Sequence, residues 1–86
     1  MSQTIQTQRP DGSPGVEMPT EVYERRKEAV KDIFMLWSKV SVKELAQHLQ
    51  DHPGVQDDPA LWLMDILDDL VVRKVLREED GVYSMA

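Results

Sequence analysis

The chain has 86 residues, and its ten Lys and Arg residues are outnumbered by sixteen Asp and Glu residues, which gives a net charge of −6. This length fits one domain, the absence of cysteine excludes disulfides and thiolate metal sites, and the acidic balance counts against non-specific binding to nucleic acid. The longest apolar run, Ile33–Trp37, is far shorter than the about 20 residues of a membrane span, and the amino terminus has no apolar stretch of the kind found in secretory signals. We therefore expect a cytoplasmic protein with no membrane partner.

Residues 1–19 hold three of the five prolines, together with glycine, glutamine, serine and threonine. A segment of this composition has little apolar surface to offset the entropy lost on ordering. The sequence therefore predicts a disordered tail over residues 1–19 and a folded domain over residues 20–86.

The first predicted helix begins at Thr20, acting as N-cap, and ends near Ser38. A helical period places one set of apolar residues on a common buried side. That set is Val22, Tyr23, Ala29, Val30, Ile33, Phe34, Leu36 and Trp37. Met35 falls outside it and is expected to be exposed, while Arg26 is expected to lay its stem along the core edge.

A short strand is predicted at Lys39–Val42, followed by a second helix opened by the capping-box pair Ser41 and Glu44. This helix should end before Pro53, and residues 52–58 are typical of a turn. A third helix should be capped by Asp57 or Asp58. Its predicted buried side consists of Ala60, Leu63, Met64, Leu67, Leu70 and Val71.

After Lys74 the apolar period changes from that of a helix to that of a strand. Val75–Arg77 and Val82–Met85 are predicted strands, joined by a turn at Asp80–Gly81. The order of elements is then helix, short strand, helix, helix and hairpin, which is an α+β arrangement.

This order, with "SVKELAQHL" followed by "ILDDLVVRKVLREEDGVYSM", resembles the winged helix-turn-helix family over roughly residues 20–85. The third helix of that family usually ends in the pattern L-x-x-L-x-x-x-G-L-[IV], with a two-stranded wing after it. Leu67, Leu70, Val75 and Leu76 match the apolar positions, while Lys74 stands where the family usually has glycine. The resemblance implies a winged helix, a fold that serves both DNA readers and protein-interaction modules.

In DNA-binding winged-helix proteins the exposed side of the third helix enters the major groove. The corresponding residues of this chain are four acids and three apolar residues, with no cation: Asp58, Leu61, Trp62, Asp65, Asp68, Asp69 and Val72. Because four carboxylates would face phosphates with repulsion, major-groove binding is disfavoured. The preferred interpretation is a protein-docking surface, in which Leu61, Trp62 and Val72 are anchors and the acids select a basic partner. A solvated face that binds nothing is the alternative.

Two further partner hypotheses stay open. A small DNA-binding transcriptional regulator would use the basic run of the first helix, formed by Arg25, Arg26, Lys27 and Lys31. A homodimer would bury the apolar residues predicted to be exposed, Met35, Trp62 and Val72.

The sequence shows no motif of an enzyme or a cofactor site. His48 and His52 are four residues apart with Asp51 between them, but a zinc site needs three or four ligands and no further ligand is evident. The glycines at 12 and 15 do not form a phosphate-binding loop. We expect a non-catalytic protein without a cofactor or metal.

Overall fold

The computed structural model describes residues 3–53, 55 and 57–86. The elements in chain order are strands β1 (Thr4–Gln8) and β2 (Pro14–Pro19), helix α1 (Thr20–Leu36), strand β3 (Val40–Ser41), helix α2 (Val42–Gln50), a 3₁₀ turn (Pro59–Leu61), helix α3 (Leu63–Val72), and strands β4 (Leu76–Glu79) and β5 (Val82–Met85). Residues 1 and 2 of the predicted tail, and Gly54 and Gln56 of the predicted turn, lie outside the described residues.

The amino-terminal segment differs from the predicted disordered tail, because β1 and β2 form an antiparallel hairpin that packs on α1 and α3. Its turn is closed by Asp11, whose carboxylate accepts hydrogen bonds from the Ser13 backbone N–H (2.9 Å) and hydroxyl (2.6 Å). Met18 and Thr7 are buried against the rest of the chain. In β2 the apolar Val16 and Met18 flank Glu17, which is the alternation of a strand. Strand β1 has a single apolar residue, Ile5, so the sequence signal for the hairpin is weak.

Helix α1 begins with Thr20 as its first residue rather than as its cap, and ends at Leu36, earlier than predicted. Trp37 has an extended backbone, so the chain leaves the helix there. As a consequence Leu36 and Trp37, predicted to be buried, are 77% and 50% exposed. Met35 is exposed, as predicted.

The capping box of α2 is confirmed. The Ser41 hydroxyl accepts from the Glu44 N–H at 3.2 Å, and the Glu44 carboxylate accepts from the Ser41 N–H at 3.1 Å. These bonds satisfy backbone donors that have no partner inside the helix. Asp58 likewise accepts from the Ala60 N–H at 3.0 Å, but Asp58 caps the short 3₁₀ turn and not α3.

Helix α3 ends with Lys74 in the left-handed conformation, at φ 65°. The Lys74 N–H donates to the Val71 carbonyl (3.1 Å) and the Val75 N–H to the Leu70 carbonyl (2.9 Å), the two bonds of a Schellman motif. Lysine therefore occupies a position whose left-handed backbone favours glycine, and the Schellman motif forms with lysine there.

The carboxy-terminal sheet has the strand order β3-β5-β4, with all pairs antiparallel. The predicted turn at Asp80–Gly81 is confirmed, with φ values of 52° and 80°, as the tight turn of a two-residue hairpin requires. Over the described residues the chain is thus a small α+β protein with three α-helices and two antiparallel sheets, compatible with a winged-helix topology.

One core joins both sheets to the helices. Among the described residues, its buried apolar side chains are those of Met18, Tyr23, Ala29, Val30, Ile33, Phe34, Val40, Leu45, Leu49, Trp62, Leu63, Ile66, Leu67, Leu70, Leu76 and Tyr83. Ala60 and Met64, predicted to be buried, are exposed instead.

Candidate interaction surface

The structure divides the seven residues predicted for the docking surface on the third helix. Leu61 is 77% exposed, Val72 is 38% exposed, Asp58 is exposed, and Asp65 and Asp68 are half-buried. Trp62 and Asp69 are only 3% and 0% exposed, so their assignment to the outer surface is wrong. Met64 takes a place on this surface instead, at 47% exposure. The hairpin β1–β2 and α1 cover the flank of α3 that contains Asp69. Trp62, the residue before α3, lies beside Arg26 of α1.

Asp69 is the centre of a hydrogen-bond network that holds three elements together. Its carboxylate accepts from the Tyr23 hydroxyl (2.5 Å), the Gln8 backbone N–H (2.9 Å) and the Arg73 Nε (2.9 and 3.0 Å). A buried carboxylate requires such partners. Burial and the Asp69 carboxylate both raise the pKa of Tyr23, which keeps its hydroxyl protonated as a donor. The role of Asp69 is therefore to fix the hairpin to α1 and α3.

Trp62 forms part of the floor of a groove. The Arg26 guanidinium lies 5.1 Å from the centre of its ring, and the same guanidinium is 3.3 Å from the Asp57 carboxylate and 3.8 Å from the Met18 sulfur. Arg26 is thus held in place by a cation–π contact and an ion pair, with its stem beside the core edge.

The groove has a volume of about 390 Å³ and lies between β2, the first turns of α1 and the 3₁₀ turn. It is lined by Val16, Glu17, Met18, Pro19, Val22, Arg26, Asp57, Leu61, Trp62 and Asp65. Its lining is mainly apolar, with three carboxylates and one guanidinium. The contribution of β2 is not predicted from the sequence, because the composition of residues 1–19 indicates a tail.

Asp65 lies where the groove meets the outer face of α3, and it has no hydrogen-bond or ion-pair partner among the described residues. One helical turn along, partial burial and the negative charge of Asp65 raise the pKa of Asp68, while Arg9 acts in the opposite direction. Like charges at this spacing repel each other. The outer face of α3 therefore carries negative charge, and Asp65 has no cationic partner among the described residues to neutralise it.

The basic run of α1 does not form a free cationic patch. Arg26 is engaged with Trp62 and Asp57, and Lys27 lies 3.3 Å from Glu24 and 5.7 Å from the centre of the Tyr23 ring. Arg25 is exposed and Lys31 is half-buried. Of the four residues in this alternative site, only Arg25 and Lys31 are without a contact of this kind.

The two histidines lie in different environments. The His52 Nε2 is 3.0 Å from an Asp32 oxygen, and the His48 ring stacks on Trp37 with centres 5.1 Å apart. Over residues 3–53, 55 and 57–86, no group of three or more metal-ligating side chains is present. Met35, Leu36 and Trp37 form a second exposed apolar surface at the carboxy-terminal end of α1, whereas the groove is lined by residues near the other end of that helix.

Every helix in the described part of the chain is too short or too polar to serve as a membrane span. Comparisons of the chain with protein-family models, with curated proteins and with solved structures gave no match. The geometry of the acidic, apolar surface around the groove is therefore the basis for a functional proposal.

Proposed function

We propose that this chain is a non-catalytic winged-helix protein-interaction module that binds a protein partner through the outer face of α3 and the 3₁₀ turn before it. The order of its helices and of strands β3, β5 and β4 is compatible with that fold. The observation that carries the proposal is the exposure of Leu61, 77%, beside an apolar groove rimmed with carboxylates. An exposed apolar anchor next to a groove, with charge around it, is typical of a docking surface.

The charge of the same surface disfavours DNA as the partner. Asp58, Asp65 and Asp68 would face phosphates, and Glu78, Glu79 and Asp80 lie on the hairpin that a DNA-binding winged helix uses as its second contact. The hairpin β1–β2 covers one flank of α3 as well.

The test is a paired substitution. The double variant Leu61→Ala with Asp65→Lys should lose a specific partner recovered by affinity capture from cells of the source organism. The matched control, Met35→Ala with Glu28→Lys, alters the same kinds of exposed residue on α1 and should keep it. If the control alone loses the partner, the interface lies on α1 and the proposed surface is wrong.

DNA binding is measured separately. Titration of duplex DNA, followed by fluorescence anisotropy at low and at physiological salt, should show no saturable binding in the sub-micromolar range. Sub-micromolar binding with a steep dependence on salt would instead support a small DNA-binding regulator.

A further inference from the structure

We propose that the groove between β2, α1 and the 3₁₀ turn is the binding site for a basic peptide segment of the partner. An apolar side chain of this segment enters the groove, and neighbouring lysines or arginines contact the carboxylates at its rim. This inference rests on the proposed function and names the chemical class of its partner.

The shape and lining of the groove fit an apolar anchor. Its volume of about 390 Å³ lies at the lower end of the range of roughly 300–1,000 Å³ that is usual for ligand pockets. Val16 and Leu61 in its lining are 43% and 77% exposed, and the buried Trp62 side chain lines the same groove. An apolar side chain inserted into the groove would remove Val16 and Leu61 from water without displacing a buried group.

The net negative charge of the groove favours a peptide in which basic residues lie next to the apolar anchor. Three carboxylates line it, on Glu17, Asp57 and Asp65, against a single guanidinium, on Arg26. Arg26 is already held by Asp57 and by the Trp62 ring, so it does not neutralise Asp65. A lysine or arginine brought to Asp65 gains an ion pair, whereas an acidic segment meets repulsion.

A second copy of this chain is a poorer occupant than a basic segment. Each copy carries a net charge of −6, so two copies repel each other at long range. The run Met35–Trp37, with its large exposed apolar side chains, carries no positive charge that could pair with the rim of the groove. Electrostatic complementarity therefore favours a basic segment from another protein.

The two tryptophans provide a probe of this site. Trp37 is exposed at the end of α1, while Trp62 lies in the groove floor. In a Trp37→Phe variant the emission of Trp62 reports on the groove alone. The ligand is the synthetic peptide GKKLKKKLKKGG, and the control peptides replace every lysine by glutamate or every leucine by serine.

We expect the lysine–leucine peptide to change the Trp62 emission and to bind with a Kd in the micromolar range by isothermal titration calorimetry, more weakly as salt is added. Neither control peptide should bind comparably. Leu61→Ala and Asp65→Asn should each raise the Kd by about tenfold or more, a loss of about 1.4 kcal/mol. The matched controls Met35→Ala and Asp80→Asn, which alter the other apolar surface and the turn between β4 and β5, should leave the Kd unchanged.

Three results would overturn the inference: no binding of the lysine–leucine peptide, equal binding of the glutamate peptide, or equal effects of the groove variants and their controls. The proposed function has its own readout in the cellular partner. If the peptide does not bind while Leu61→Ala with Asp65→Lys still loses that partner, the module stands and the partner class named here is wrong. If the double variant keeps its partner as well, both proposals are wrong.

Discussion

Asp69 shows how one buried charge can fix the arrangement of three elements. It has no exposed surface, and it joins β1 through Gln8, α1 through Tyr23 and the end of α3 through Arg73. Hydrogen bonds and an ion pair surround the carboxylate, so its burial is compensated only while all three elements are in place.

Replacing Asp69 by alanine should lower the free energy of unfolding by about 3–5 kcal/mol, because Arg73, Tyr23 and the Gln8 N–H lose their common acceptor. Tyr23→Phe removes a single bond to the carboxylate and should cost about 2 kcal/mol. Urea unfolding followed by circular dichroism measures both. Equal stability of the Asp69→Ala variant and the natural chain would show that the network contributes nothing.

Asp68 should make the folded protein less stable as the pH rises. A carboxylate in an ion pair has the opposite effect, because its pKa is lowered in the folded state. Burial and Asp65 raise the pKa of its carboxyl in the folded state, so the folded protein holds this proton up to a higher pH than the unfolded chain does. Its contribution to stability is present at a pH below the unfolded pKa and is lost as the pH rises through the folded pKa.

Asp68→Asn should therefore raise the midpoint of thermal unfolding at pH 7, and the difference should vanish towards about pH 3, where the carboxyl is protonated in both states. The same variant removes a negative charge from the proposed docking surface and should weaken the binding of a basic partner. A variant of unchanged or lower stability at pH 7 would contradict this assignment.

At the scale of elements, the end of α3 stores a small strain in Lys74. A non-glycine residue at φ 65° costs about 1 kcal/mol, and glycine recovers part of this after its larger loss of entropy on folding. Lys74→Gly should raise the free energy of unfolding by about 0.5–1 kcal/mol in denaturant titrations. Lys74→Ala removes the same charge without relieving the backbone and should show no such gain.

The hairpin depends on the absence of a side chain at Gly15. A Cβ there would lie 2.4 Å from the Thr7 hydroxyl oxygen, which is buried and bonded to both the N–H and the carbonyl of Val16. Gly15→Ala should cost about 1–3 kcal/mol. Thr7→Ala makes room for the new methyl group, so the double variant should be less destabilised than the sum of the two single variants. Additive losses would rule out this contact as the cause.

The elements that could be predicted from the sequence are those whose signals lie close together in the chain. The capping box at Ser41 and Glu44 and the turn at Asp80–Gly81 need only neighbouring residues, and both are present. The burial of Asp69 depends on Gln8, which is 61 positions away. Local sequence patterns cannot reveal a contact between residues so far apart. For this reason Asp69 was predicted to be exposed and β1 to be part of a disordered tail. The groove was not predicted, for the same reason, since it joins Leu61 and Asp65 to Val16, which is far from both in the sequence.

At the scale of the whole molecule, the folded unit includes the amino-terminal hairpin. A chain that begins at Thr20 would lose Met18 from the core and the Gln8 donor of Asp69. We expect its thermal unfolding to occur at a lower temperature and over a broader range than that of the full chain, as measured by circular dichroism. An unchanged transition would place the domain boundary at residue 20, where the sequence alone puts it.

The bond between Gln8 and Asp69 also sets the order in which the protein can form during its synthesis. Gln8 is made before the residue to which it bonds, because Asp69 of α3 follows 61 positions later. Contacts of such long sequence separation form only after a large loop has closed. The strands of the hairpin can pair with each other and pack on α1 once these are made, but the bond that fixes them to α3 forms only after Asp69 has been translated.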